Sequence, residues 1–181
     1  MQKTTRETIG AFIIISVAYI ASYTLVAGFI TPLQKLILPT FTTSISLLFL
    51  PHGIRILAAY YYGWKALPLL LPSMYLMWFI TVYANNISLH PLSPLFSGIA
   101  CIIAVKFVFK NIKHIIEKEW KLLLLAGLVG SFLNGLSHSF LVYKSFLTIS
   151  FIGYTIGDIL GQILLMLMFI YILKFIKLFK N

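Results

Sequence analysis

The sequence predicts an all-α, polytopic transmembrane bundle of about six spans, and three observations carry that expectation. Hydrophobic residues make up 60% of the 181-residue chain and charged residues only 10%, with a mean hydropathy of +0.98, against roughly half apolar and a quarter charged in soluble domains. The apolar residues fall in runs long enough to cross a hydrocarbon core of about 30 Å. The basic residues gather at alternate ends of those runs, as they do in cytoplasmic loops. The lipid bilayer is therefore the first partner to expect, and residues 1–181 read most simply as one integral membrane domain.

Span 1 is expected from Ile9 to Ile30, after Lys3 and Arg6 and before Pro32. That run is too long for the hydrophobic part of a signal peptide and lacks a small-x-small cleavage site, so it should be retained. The second apolar stretch, Leu36 to Tyr62, is long for one span at about 1.5 Å per residue. Pro51, His52 and Gly53 interrupt it, and one helix broken at Pro51–Gly53 is expected. Span 3, Ala66 to Val82, leads into a loop from Asn85 to Pro94 that carries neither Lys nor Arg. Span 4, Leu95 to Phe109, delivers the chain to its most charged segment, Lys110 to Lys121. There Ile112, Ile115, Ile116 and Trp120 recur at helical spacing, which fits either a surface-lying helix or an ordinary basic juxtamembrane loop. Span 5, Leu122 to Val142, and span 6, Ile149 to Phe175, complete the set. Lys3, Arg6, Lys65, the lysines between 110 and 121, and Lys174, Lys177 and Lys180 then share one side, against Lys35 and Lys144 on the other. The asymmetry puts both termini in the cytoplasm of a plasma (inner) membrane protein.

Composition and spacing also exclude. A net charge of +10 raises the question of nucleic acid, but no clustered or aromatic-interleaved basic face exists, so no nucleic-acid partner is expected. Cys101 is the lone cysteine and admits no intrachain disulfide. His52 lies about 24 Å into span 2 from the outer side and His138 about 6 Å into span 5, depths too different for a shared metal, and no cofactor is implied. The run Gly135 to Ser139 lacks the closing glycine of a nucleophile elbow. No catalytic residue stands out and no enzyme is expected.

Function, if it has a centre, lies with the charges inside the spans. Asp158 is the sole carboxylate within one and Arg55 the sole arginine. Each costs about 2.5–3.5 kcal/mol at mid-bilayer when unpaired, and both fall near the midplane, about 14 Å and 15 Å from their span ends. They are expected to approach one another, as a structural staple or as a site for a small charged ligand. His52, Asn134 and Gln162 are the polar neighbours expected to join them. Gly153, Gly157 and Gly161, spaced four apart, are expected to let spans 5 and 6 pack closely.

Two stretches resemble a known family. Residues 48–73, LFLPHGIRILAAYYYGWKALPLLLPS, and residues 153–165, GYTIGDILGQILL, are similar to the membrane-associated sensor domains of the first MASE class in the same order. Pro51, Gly53, Gly63, Gly157, Asp158 and Gly161 are the positions that carry over, while Arg55 stands where that family often has an apolar residue. A cytoplasmic kinase, diguanylate cyclase or phosphodiesterase usually follows the membrane part there, whereas this sequence closes just after span 6. The resemblance thus implies a stand-alone sensory or small-solute-binding domain in signal transduction, with a cytoplasmic signalling or membrane-protein partner. Two alternatives stay open, a transporter or the substrate-binding subunit of one, and a structural or assembly protein.

Overall fold

The computed structural model describes residues 2–38, 46–85, 89–110, 119–144 and 149–178, and it is 92% helix with no strand among them. Four helical segments are long and apolar enough to cross a membrane, Thr5–Ile37, Pro51–Ala84, Trp120–Leu141 and Phe151–Ile172, and Ser93–Phe109 is a shorter apolar helix. Most of the expected surface helix at 110–121 and the centre of the loop at 85–94 lie outside the described residues, as do residues 39–45 of the second stretch.

The first helix runs further than its sequence suggests. Helix α1, Gln2–Leu25, passes through a π-helical turn at Val26–Ile30 into α2, Thr31–Ile37, so Pro32 does not end it and Leu36 belongs to this rod rather than to span 2. A proline inside an α-helix removes a backbone donor and crowds the carbonyl four residues back. The wider π turn immediately before it moves those carbonyls out of α-helical register, and Pro32 occupies the first turn of the new helix.

Pro51 is likewise a beginning and not a kink. Residues 46–49 carry no helix, and α3, Pro51–Tyr62, starts at the proline, a first-turn position where its missing N–H goes unmissed. Gly63, at φ +54° and ψ −129°, ends α3 with a backbone conformation that glycine adopts freely. One turn of 3₁₀ helix, Gly63–Lys65, then leads into α4, Ala66–Asn85. Tyr23 packs edge-on against Phe49, 5.7 Å between ring centres, and its hydroxyl meets Thr81 at 2.7 Å. A straight helix would hold Phe49 and Thr81 about 48 Å apart, so α4 doubles back beside α3. Helices α5, Ser93–Phe109, α6, Glu119–Tyr143, and α7, Ile149–Leu178, complete the chain.

Short, with small residues at Gly53, Ala58 and Ala59 and its two charged or polar side chains, His52 and Arg55, turned inward, α3 is the centre of the bundle. It touches α1, α4, α5, α6 and α7, and Pro51 to Ile56, Ala58 and Ala59 are all buried. Around it the helices neighbour one another as α1, α4, α5, α6 and α7, but α1 and α7 do not meet among the described residues. The segment from Ser46 to Leu50 bridges that gap. Leu47 donates its N–H to the side chain of Gln34 on α2 at 2.8 Å, and Phe49 donates to the Gly157 carbonyl of α7 at 2.9 Å.

That contact reassigns the glycine stripe. The backbones of Ser46 and Phe49 occupy the space beside Gly157 and Gly161, so these two glycines seat the non-helical segment and not span 5. Gly153 is buried on the same helix. Helices α6 and α7 do pack together, but the glycines that allow it are on α6, where Gly127 lies under the Gln162 side chain and Gly135 under Thr155. At the opposite end, the ammonium of Lys106 lies 5.1 Å from the centre of the Trp64 ring, a cation–π contact at the level of Lys65.

Candidate functional site

The fold brings Arg55 and Asp158 together from α3 and α7. Arg55 Nη2 lies 3.5 Å from Asp158 Oδ1, and both residues are at most 2% exposed. Asp158 has further partners. His52 Nδ1 lies 3.2 Å from Oδ2, and Asn134 Nδ2 donates to the same oxygen at 2.5 Å. One turn of α3 separates His52 from Arg55, which places their side chains one above the other on the same face. Gly130 of α6 faces this part of α3, where a Cβ would lie 3.1 Å from Ile56 Cδ1 and 3.4 Å from the His52 ring.

The other ring nitrogen of His52 is engaged as well. His52 Nε2 lies 3.1 Å from both the Gly127 carbonyl and Ser131 Oγ, and Ser131 in turn donates to Gly127 O at 2.8 Å. Because the Ser131 proton is committed, its oxygen acts as an acceptor toward the ring, and Nε2 is the donor. Arg55 also lies over the Phe49 ring, 5.4 Å from its centre, so the Ser46–Leu50 segment covers the guanidinium. Gln162 stands apart from the ion pair, its amide donating to the Leu123 carbonyl of α6 at 2.8 Å.

His52 and His138 do not touch, yet one chain of contacts connects them. From Asp158 it passes through Asn134 to Ser97, whose hydroxyl donates to Asn134 Oδ1 at 2.6 Å, and on to His138 Nε2, 3.2 Å from the same Ser97 oxygen. With the Ser97 proton given to Asn134, His138 Nε2 is the donor in that contact, and a neutral ring presents Nδ1 as an acceptor. The ring stacks on Tyr154, 4.6 Å between centres. Among the described residues no three His, Cys, Asp or Glu side chains come together as metal ligands would. Cys101 Sγ lies 3.9 Å from His52 Nδ1, the same nitrogen that faces Asp158. A nucleophile and its orienting acid would need opposite ring nitrogens, so the cluster lacks the geometry of a hydrolytic triad.

Beside this cluster is a cavity of about 410 Å³, within the usual range for small-molecule sites. Arg55, Asp158, Asn134 and Ser97 form its floor, and Tyr19, Tyr23, Phe49, Met74 and Trp78 supply much of its wall. Its helical lining residues come from the middle and second half of the α1–α2 rod and of α4, from the second half of α6, and from the first halves of α3, α5 and α7. Consecutive helices thus alternate in direction. The cavity occupies the half of the bundle away from Gln2, Lys65 and Leu178, with exposed Lys35 on its lining.

Sequence reasoning reached Arg55, Asp158, His52 and Asn134 because charge and amide groups are conspicuous in apolar helices. It did not single out Ser93, Ser97, Tyr19, Tyr23 or Trp78, and it gave Cys101 no place at the site. Trp78 did carry a signal, since tryptophan gathers at membrane interfaces and this one falls well inside an apolar run. No protein-family model matches the sequence. Comparison with curated proteins and with solved structures finds no match either.

Proposed function

We propose that the chain is a six-crossing membrane domain that binds a small solute in the cavity beside Arg55 and Asp158, with both termini cytoplasmic and the cavity in the outer half. The observation that carries this reading is the cavity itself. A charge pair serving only as a staple would be sealed on all sides, whereas both members of this pair line a space large enough for a metabolite. Alternation of the helices supports six crossings. Helix α3 alone covers about 18 Å of a core of about 30 Å, the bent Ser46–Leu50 segment continues that crossing, and non-helical backbone at that depth is tolerated where protein or a cavity satisfies it.

The sensory form of this reading draws support from the two stretches that resemble MASE-type domains. They pack on one another, through Phe49 and Gly157 and through Arg55, His52 and Asp158, so that the resemblance falls on the site and not on unrelated surfaces. Transport is the second reading, favoured by the interrupted backbone at the cavity, since carriers bind substrates at broken helices. Thermal unfolding of the full chain in nanodiscs across a metabolite library tests the binding step that both share. A ligand at 100 times its Kd should stabilise by about 2.7 kcal/mol, and failure of every compound would return the pair to a structural role. Uptake into proteoliposomes would then separate carrier from sensor.

A further inference from the structure

The chemistry left unused around the cavity defines the charge of its occupant. Buried polar atoms in proteins nearly always have hydrogen-bond partners, and exceptions call for an explanation. Four of the seven unpartnered buried side-chain atoms among the described residues belong to residues that line this one cavity: Arg55 Nε, Trp78 Nε1, Ser93 Oγ and His138 Nδ1. Arg55 and Ser93 are themselves only 2% and 3% exposed.

Their donor and acceptor roles are unequal. Arg55 Nε and Trp78 Nε1 can only donate, Ser93 can do either, and His138 Nδ1 is the acceptor left by the Asp158–Asn134–Ser97 chain. The carboxylate and amide oxygens on the same lining already hold partners. Asp158 Oδ2 receives Asn134 and faces His52, Oδ1 faces Arg55, and Asn134 Oδ1 receives Ser97. Thr81 gives its proton to the Met77 carbonyl and Tyr23 gives its own to Thr81, so these two hydroxyls add no donor to those of Arg55 and Trp78. Lys35 adds a positive charge to the lining and Asp158 is already paired, leaving a cavity that offers donors and positive potential to an incoming group.

Building on the solute-binding reading above, we infer that the cavity takes a small organic carboxylate with a hydroxyl or N–H beside the acid group. Arg55 and Trp78 receive the carboxylate oxygens, the hydroxyl or N–H donates to His138 Nδ1, and the body of the acid lies among Tyr19, Tyr23 and Phe49. A cationic solute meets the opposite conditions, because Asp158, the one carboxylate among the described lining residues, is held by three partners and Lys35 repels a cation.

Four probes of one skeleton test the inference by isothermal titration calorimetry on the full chain in nanodiscs: mandelate, phenylacetate, mandelamide and phenethylamine. Mandelate is expected to bind most tightly and phenylacetate, without the hydroxyl, more weakly. The neutral amide and the amine are expected to bind at least about 10-fold more weakly than mandelate, since a hydrogen bond to a charged group contributes roughly 1.5–3 kcal/mol. Trp78→Phe keeps a ring in place and removes the donor, and should weaken mandelate about 10- to 100-fold. Without ligand that variant should unfold no earlier than wild type, because the lost N–H has no partner to leave behind. Amide or amine binding as tightly as mandelate would overturn the charge assignment and leave the solute cavity standing. No binding by any of the four would overturn both, and unchanged mandelate affinity in Trp78→Phe would remove the carboxylate from the position assigned here.

Discussion

Replacing Gly161 by alanine is the sharpest perturbation this bundle offers. An added Cβ would lie 2.5 Å from the backbone nitrogen of Phe49 and closer still to its carbonyl group. Backbone cannot swing aside as a side-chain tip can, so Ser46–Leu50 must leave the face of α7. Overpacking of this kind costs about 1–3 kcal/mol. The Phe49 to Gly157 hydrogen bond would be lost as well, and an orphaned buried N–H adds about 1–3 kcal/mol. Alanine regains about 1 kcal/mol of helix propensity, which leaves a net loss of roughly 1–5 kcal/mol. Gly10→Ala is the control, because a Cβ there meets nothing within 4 Å; its expected effect is neutral to slightly stabilising. Reversible unfolding in bicelles or nanodiscs, followed by tryptophan fluorescence, measures both. Gly161→Ala within about 0.5 kcal/mol of wild type, on a scale where the control behaves as expected, would refute the placement of the non-helical segment against α7.

Arg55→Met should destabilise by about 3–5 kcal/mol, as removing one member of a buried ion pair does. The double variant Arg55→Met/Asp158→Leu should recover part of that loss and not all, because Asn134 Nδ2 and His52 Nδ1 are left without their carboxylate; a double-mutant cycle in the same unfolding assay reads the difference. Gly63→Ala should lower stability by about 1–3 kcal/mol through the strained backbone at φ +54°, with no change expected at the cavity. In a Cys101→Ala background, Lys35→Cys should react with a membrane-impermeant thiol reagent added to intact cells and Lys65→Cys should not; the reverse pattern would invert the proposed orientation.

The parts of this architecture that sequence exposes are those governed by one physical cost. A charge in hydrocarbon must find a partner, so Arg55 and Asp158 announce each other across the chain, and the spacing of lysines marks the ends of runs. Glycine spacing on α7 announces close approach but not what approaches, and the occupant proved to be the backbone of Phe49 and not a helix. Pro32 and Pro51 both read as interruptions, yet each opens a helix, because the geometry that accommodates a proline depends on the turn before it. Ser97 illustrates a different limit: a single serine in an apolar run has no signature, and its role appears only when α5 sets it between Asn134 and His138.

The central position of α3 has a consequence for how the protein is made. Arg55 precedes its counter-charge by 103 residues (158 − 55), so at synthesis rates of about 5–20 residues per second the arginine emerges roughly 5–20 s before Asp158 exists. The helix that every other helix will surround is therefore among the first made, and its guanidinium has to be harboured by the insertion machinery, by headgroups or by water until α7 arrives. The charge pair closes only once α7 is made, and a chain stalled before Asp158 would hold an uncompensated arginine.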